Sequence, residues 1–196
     1  FLQDPALLGS HRSIIGRFGE ETRRGEEKRF LDELGNRRNE IGEILFVKEP
    51  GTLEGGDVLV TDRGLFVGES RRTNSSGIEQ LAAYLNDSQV RRVKTDLLHL
   101  LCGCSYLSDG KMIIAPDLVS PTWFPDFEFV SLSIEEAYAA DALYLGDGKV
   151  VIPSGFPKVG KKLEQAGYEG IEVDVSEFYK GDGGVTCLCS PVYRIL

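Results

Sequence analysis

Residues 143–175, LYLGDGKVVIPSGFPKVGKKLEQAGYEGIEVDV, carry the pattern that decides the fold. The pattern predicts strands at 143–145, 150–153 and 171–175, with a helix at 157–167 before the third strand. The Asp147-Gly148 pair between two apolar runs is typical of a hairpin, because such a tight turn needs positive φ. This stretch therefore predicts a unit in the order strand, turn, strand, helix, strand.

The same unit recurs three more times along the chain, which makes this a repeat protein. Each further copy has three strands, and two of the copies have a helix before the third strand. The copies comprise strands 1–8, 13–17 and 43–47 with helix 24–34, strands 57–61, 65–69 and 90–94 with helix 74–86, and strands 104–107, 112–115 and 128–132 with a Pro-rich stretch in the helix position.

Units of this kind cannot bury their sheets alone, so we expect them to pack around a common centre. The favoured fold is an α/β propeller with helices outside, and an open mixed sheet is the alternative. Helix 74–86 has its apolar residues at helical spacing and Thr73 as its predicted cap. A last strand at 184–194 has no unit of its own. We expect its partner in an N-terminal segment of a longer protein, and we expect residues 1–196 to form one domain.

The composition excludes some classes of partner. The net charge of −9 argues against nucleic acid, and no apolar run reaches the length of about 20 residues that a membrane span needs. The four cysteines form two Cys-x-Cys pairs, 102/104 and 187/189, which we interpret as free thiols in the cytoplasm. Four thiolates around zinc are the alternative, but their spacing is unusual for such a site. We expect no metal and no cofactor.

Cys187 ends the segment 182–187, DGGVTC, in which two glycines allow the backbone to approach a ligand closely or to take positive φ. Free cysteine is often buried and inert. A cysteine with a distant histidine and acidic partners is nonetheless typical of a nucleophile site. His99 lies in an apolar run, 97–101, that we predict to be a strand. It is either a buried structural residue or a general acid and base.

Acidic and basic residues give further candidates. Glu54 and Asp57 lie three residues apart across a glycine pair at the start of a strand, where carboxylates are able to hold a planar cation. Asp4 is a third candidate; turns are the alternative for all three. The arginine pairs 23–24 and 71–72 lie at predicted helix starts, which the helix dipole disfavours. They either clamp a substrate carboxylate or form surface salt bridges.

Together these segments resemble the guanidino-group-modifying superfamily, and among its members the dimethylarginine dimethylaminohydrolases most closely. The resemblance covers essentially the whole chain, and the matching segments agree in order and spacing. They are FLQD at 1–4, TRRGE at 22–26, EGGD at 54–57, GESRRTN at 68–74, LHL at 98–100, AYAA at 137–140 and DGGVTC at 182–187.

The resemblance implies a five-bladed α/β propeller, the pentein fold, of which about one N-terminal blade is absent from this sequence. It implies hydrolysis of dimethylarginine to citrulline and dimethylamine through a covalent thiouronium on cysteine. The implied catalytic residues are Cys187 as nucleophile, His99 as general acid and base, and Glu54 as the partner of His99. The implied substrate-binding residues are Asp4 and Gln3 at the guanidinium, Arg23 (favoured over Arg24) and Arg72 at the α-carboxylate, and Asp182 along the pocket.

Departures from the family pattern leave the substrate open. Gln3 stands where the family has an acid, Leu101 where it has a lysine, and Asp141 where it has an asparagine. The segment after Cys187 resembles arginine deiminases instead. The alternatives are therefore an arginine deiminase acting on free arginine and a non-catalytic relic that binds a ligand. We expect a small guanidino compound as partner, and a homodimer is one of the oligomeric states left open.

Overall fold

The computed structural model describes residues 1–85, 90–194 and 196, and it has an α/β fold. Thirteen short strands and four helices occupy these residues. In chain order they are β1 Ala6–Gly9, β2 Arg12–Ile15, α1 Glu26–Leu34, β3 Glu43–Phe46, β4 Val58–Thr61, β5 Gly64–Glu69, α2 Ser75–Leu85, β6 Val90–Lys94, β7 Cys104–Ser108, β8 Lys111–Ile114, β9 Glu128–Ser131, β10 Leu143–Gly146, β11 Lys149–Pro153, α3 Pro157–Gln165, β12 Glu169–Val173, α4 Ser176–Tyr179 and β13 Val192–Tyr193.

The strands form four small sheets, one for each predicted unit, with the orders β13-β1-β2-β3, β4-β5-β6, β7-β8-β9 and β10-β11-β12. In every sheet the first two strands of the unit pair antiparallel and the third joins in parallel after a crossover. The predicted repeat is thus confirmed.

Two of the hairpin turns have the backbone that their sequences predict. Asp109-Gly110 has φ values of 50° and 69°, and Asp147-Gly148 has φ values of 49° and 73°. Positive φ at both central residues matches the right-handed twist of the strands, so each Asp-Gly pair joins its strands with a two-residue turn.

The first strands of three units pack together, and helices α2 and α3 cover other strands of their own sheets. Strand β7 lies against both β4 and β10. On the outside, Val159 and Leu163 of α3 are fully buried in the cluster of β11, and Ile78 and Leu81 of α2 are buried against β5. Burying such side chains contributes about 1.5–3 kcal/mol each. The predicted last residue of α2, Asn86, lies outside the described residues.

The cap of α2 differs from the prediction. Asn74, not Thr73, accepts a hydrogen bond from the backbone N–H of Gly77, at 2.9 Å. The Thr73 hydroxyl instead accepts from the backbone N–H of Glu54, at 3.1 Å. Thr73 therefore connects the start of this helix to one of the predicted catalytic residues.

Two predicted strands are wrong. His99 lies just before a 3-10 turn, Leu100–Cys102, and not in a strand. The predicted strand 184–194 contains a 3-10 turn at Thr186–Leu188, and only Val192–Tyr193 is extended. That short strand pairs in parallel with β1, opposite Leu8 and Gly9. Its partner is thus within the chain, because the outer edge of β1 is open to it.

The four sheets stay separate and close no barrel within the described residues. The fifth blade is therefore still a prediction. None of the helices that the structure describes is long and apolar enough to cross a membrane.

Candidate active site

Five side chains that can bind or transfer protons, or attack a substrate, each lie two to five residues before a strand. They precede β1, β4, β7, β10 and β13 in turn and are Asp4, Glu54, His99, Asp141 and Cys187. Because β4, β7 and β10 lie side by side, the residues that precede them meet at one end of the molecule.

A cavity of about 220 Å³ opens at this end. Its lining includes six of the eight predicted site residues, namely Asp4, Arg23, Arg72, His99, Asp182 and Cys187, together with Phe1, Leu98, Cys102 and Gly181. Glu54 is fully buried behind His99. Gln3 lines a separate, mostly apolar cavity of about 500 Å³ beside β4, β7 and β10.

His99 is held between two carboxylates. Its Nε2 lies 2.9 Å from Glu54 Oε2, and its Nδ1 lies 3.8 Å from Asp4 Oδ1. The other oxygen of Glu54 accepts from the backbone N–H of Gly19 at 3.0 Å, so the Glu54 carboxylate is fixed. This arrangement orients the imidazole ring with both of its nitrogens facing negative charge.

The glycines of the EGGD segment let these groups come close. A Cβ on Gly56 would lie 2.7 Å from Cγ of His99, and one on Gly55 would lie 2.1 Å from the carbonyl oxygen of Gln3. Asp57, the last residue of the segment, accepts from the backbone N–H of Leu100 at 2.9 Å. Asp57 therefore positions the turn that follows His99 and does not line the cavity.

The surroundings of His99 favour its charged form. Burial alone would lower the pKa of His99. The hydrogen bond to Glu54 and the negative charges of Asp4, Asp57 and Glu54 outweigh burial and raise it. His99 is therefore suited to carry and donate a proton near neutral pH.

Cys187 is buried in the 3-10 turn, and its carbonyl oxygen accepts from the backbone N–H of Leu2 at 2.8 Å. Its Sγ lies 3.8 Å from Oδ2 of Asp141, and Oδ1 of the same carboxylate accepts from the backbone N–H of Thr186 at 2.7 Å. The positive φ expected in this segment, 59°, belongs to Asp182. The two glycines after Asp182 instead allow neighbouring side chains to lie close to the backbone.

Burial, together with the charge of Asp141, raises the pKa of the Cys187 thiol to about 12. Burial likewise raises the pKa of Asp141 to about 6, although its bonds with Thr186 and Cys187 oppose the rise. In the free protein at neutral pH, Cys187 is thus a neutral thiol beside a buried carboxylate. A cation bound in the cavity would shift Cys187 toward the thiolate.

Arg23 occupies part of the site itself. Its guanidinium donates to Asp4 Oδ2 at 2.8 Å and to both oxygens of Glu26, and it lies 3.6 Å from Glu54. Arg24 instead reaches the Phe18 carbonyl and Glu21. The preference for Arg23 over Arg24 thus agrees with the placement of the two side chains.

Two buried polar atoms of the lining lack a hydrogen-bond partner among the described residues: Oδ1 of Asp4 and Nη1 of Arg72. Arg72 Nη1 lies 4.0 Å from the nearest oxygens of Glu20 and Glu54. Buried polar groups in proteins are nearly always paired, so orphaned ones call for an explanation. The cavity offers one acceptor and one donor to a ligand.

Asp4, Glu54 and His99 could offer a metal ion three atoms within 4.8 Å of one another. The Arg23 guanidinium already supplies positive charge to the two carboxylates of this group. The four cysteines do not come together as a ligand set within the described part of the chain. Cys104 is buried in the core, whereas Cys102 lines the cavity. The expectation of no metal stays a prediction.

Asp141 was not among the predicted site residues, and the sequence marks it only as a departure from the family pattern. A signal was available: Asp141 lies just before the first strand of the fourth unit, as Glu54 and His99 lie before the first strands of theirs. Cys102 and Thr73 had no such signal, because their role follows from side-chain placement.

Comparison with known proteins gives consistent relatives. A family model described as arginine deiminase matches residues 1–128. The N(G),N(G)-dimethylarginine dimethylaminohydrolase of Pseudomonas aeruginosa is 38% identical over 193 residues, which cover 96% of this chain and 74% of that protein. The enzyme of the same name from Streptomyces coelicolor is 33% identical over 193 residues, with 96% and 72% covered.

A solved structure of the Pseudomonas aeruginosa enzyme, a cysteine-to-serine mutant complexed with citrulline, superposes with a TM-score of 0.86. It is 36% identical in sequence and covers 95% of this chain and 73% of its own. Sequence and fold therefore agree on the same relatives.

Proposed function

This chain belongs to the arginine deiminase family, and on that premise we propose that it hydrolyses dimethylarginine to citrulline and dimethylamine. It is a hydrolase of guanidino C–N bonds, the chemistry that its relatives share. The roles of its side chains and the identity of the substrate are the substance of the proposal.

One observation supports it above the others: the cavity has a free acceptor on Asp4 and a free donor on Arg72, with Cys187 and His99 in the same lining. An arginine derivative carries a cation at one end and a carboxylate at the other. The guanidinium would bind Asp4, and the α-carboxylate would bind Arg72, helped by Arg23 once it leaves Asp4. Phe1 and Leu98 offer apolar surface to N-methyl groups.

The first half of the reaction uses Cys187 and His99. The Cys187 thiolate attacks the guanidinium carbon, and a C–S bond forms as the carbon becomes tetrahedral. His99 gives its proton to the dimethylamino nitrogen, the C–N bond breaks, and dimethylamine leaves. A thiouronium on Cys187 remains. Glu54 keeps the charged form of His99 available for this step.

The second half releases the product. His99, now neutral, takes a proton from water, and the resulting hydroxide attacks the thiouronium carbon. The C–S bond breaks, the added hydroxyl loses its proton to solvent and becomes the ureido carbonyl, and citrulline leaves as Cys187 regains its proton. One water molecule is consumed and the protein is restored, so no redox partner is required.

The proposal also covers the domain, the fold, the location and the assembly of the protein. We propose that residues 1–196 form one domain that supplies four blades of a five-bladed pentein fold, with a cytoplasmic location and a homodimer as one possible assembly. Asp182 would contribute to the pocket through its backbone, since its side chain is exposed. Gln3 would act on the guanidinium only through Asp4, because its side chain lines the other cavity.

The test is an assay of the wild-type protein with dimethylarginine and, separately, with arginine, in which citrulline, dimethylamine and ammonia are measured. Dimethylamine and citrulline in equal amounts support the proposal. Ammonia from arginine, with no amine from dimethylarginine, would make the protein a deiminase. No product from either compound would leave a ligand-binding relic and overturn the proposal.

A further inference from the structure

The thiol of Cys187 must lose its proton before it can attack, and His99 is poorly placed to take it. Both ring nitrogens of His99 face carboxylate oxygens, Glu54 at 2.9 Å and Asp4 at 3.8 Å. The raised pKa of His99 favours the protonated ring, which has no lone pair free for a second proton. Another group must then accept it, and this chain has a carboxylate where the family pattern has an asparagine.

Asp141 is the group in contact with the sulfur. Its Oδ2 lies 3.8 Å from Cys187 Sγ, in hydrogen-bonding geometry, while its Oδ1 is fixed by the backbone N–H of Thr186 at 2.7 Å. Gly184 closes the far side, since a Cβ there would lie 2.1 Å from Oδ2. The carboxylate is buried and held with one oxygen on the thiol.

We propose that Asp141 is the general base for Cys187. When the guanidinium binds, the S–H bond breaks, its proton passes to Oδ2 of Asp141, and the electron pair stays on sulfur for the attack. When the C–S bond breaks at the end of the cycle, the proton returns to sulfur. This inference rests on the proposed function and adds Asp141 to its catalytic side chains.

The charges around Asp141 fit the transfer. Burial raises the pKa of Asp141 to about 6, so it is ionised at neutral pH and still basic enough to accept a proton. A bound cation favours the thiolate more than the acid, and this tips the proton toward Asp141. The titratable groups that act on Asp141 or feel its charge are His99, Cys102, Tyr138, Cys187 and Cys189.

The decisive variant is Asp141→Asn, which keeps an acceptor for the Thr186 N–H but cannot take a proton. Its control is Asp174→Asn, an exposed aspartate that also accepts a backbone N–H, from Ser176 at 2.9 Å. Two rates are measured on each protein at pH 8, kcat for dimethylarginine and inactivation of the free protein by iodoacetamide, together with Tm.

We expect opposite movements in Asp141→Asn: kcat falls about 100-fold, as for loss of a general base, while alkylation becomes faster because the charge that suppresses the thiolate is gone. A kcat that stays or rises overturns the inference. A fall of both rates with a lower Tm also overturns it, since the role would be structural. If wild type releases no amine from dimethylarginine or arginine, the proposed function fails first.

Discussion

On each of two sides of the cavity, a buried carboxylate lies beside a titratable group. Its effect on the reactivity of that group is opposite on the two sides. On one side Glu54 and Asp4 outweigh burial and raise the pKa of His99, which favours the positively charged ring. On the other side burial and Asp141 raise the pKa of Cys187, which keeps the sulfur neutral. An upward shift in pKa thus makes His99 a proton donor and keeps Cys187 an unreactive thiol.

The two sides differ in which groups balance the negative charge of their carboxylates. The carboxylates around His99 have Arg23 and the ring itself as counter-charges. The Asp141 carboxylate accepts from two neutral donors, the Thr186 N–H and the thiol, and the charge of His99 stabilises it to a smaller extent. The surroundings of His99 therefore favour its charged form before substrate binds, whereas Cys187 needs a bound cation to form the thiolate.

The largest effect should come from removing the sulfur. Cys187→Ser should lower kcat for dimethylarginine by at least about a thousandfold, because an alkoxide at this position is much harder to form. Cys189→Ser, two residues along and half-buried, is the matched control. Citrulline release measures both, and a Tm within about 2 °C of wild type shows that the fold is kept. Ordinary turnover in Cys187→Ser would exclude covalent catalysis by this residue.

Glu54→Gln should weaken acid catalysis by His99, on the other side of the cavity. The change removes a negative charge that raises the pKa of His99, so the protonated ring is lost at lower pH. The alkaline limb of the kcat profile should then move to lower pH, and kcat at pH 8 should fall about tenfold or more. Rates from pH 5 to 9 measure this.

Glu136→Gln is the control for Glu54→Gln, since Glu136 is also buried and paired with a cation, Lys162. Its profile should match wild type. An unmoved alkaline limb in Glu54→Gln would show that the charge of Glu54 does not govern His99.

The fold was largely predictable from sequence, because hairpins with Asp-Gly turns and helices with apolar faces are local patterns. The failures were at the predicted strands around His99 and Cys187. Apolar runs there resemble strands, but His99 precedes a tight turn and Cys187 lies within one. N–H groups of these turns bond to the buried Asp57 and Asp141, 43 and 45 positions away, and such contacts are not visible in local periodicity.

The site was predictable where a motif carried it. Cys187, His99, Asp4 and Arg72 follow from the family pattern and line one cavity. Asp141 required the repeat itself, since only its equivalence to Glu54 and His99 sets it apart from the other aspartates. The pairing of Arg23 with Asp4 required the folded chain, because it depends on which of two arginines reaches a buried carboxylate.

Packing around Asp141 gives a smaller test. Gly184→Ala would place a Cβ 2.1 Å from Oδ2 of Asp141 and push the carboxylate off the sulfur. We expect kcat to fall about tenfold and the free energy of unfolding to fall by about 1–3 kcal/mol, as for overpacking. Gly160→Ala in α3 is the control, since no described atom lies within 4 Å of its Cβ position.

The sign of the Gly160→Ala effect should be opposite, with a gain of about 0.5–1 kcal/mol from helix propensity. Chemical denaturation and citrulline release measure both variants. Equal activity in the two would mean that the position of the Asp141 carboxylate does not matter to turnover.

The last expected effect is on the free energy of unfolding, and it depends on pH through the pKa of Asp141. The folded pKa of Asp141 is raised from its usual value to about 6, so the folded state binds this proton more tightly than the unfolded state. Its contribution to stability is therefore favourable below about pH 4 and is lost as pH rises to about 6. Asp141→Asn removes this loss and should be more stable than wild type at pH 7, by about 3 kcal/mol, with the gap closing toward pH 4. Denaturation curves at several pH values give the difference. A variant that is less stable than wild type at pH 7 would mean that the buried charge is compensated, and the contrast with the His99 side would then disappear.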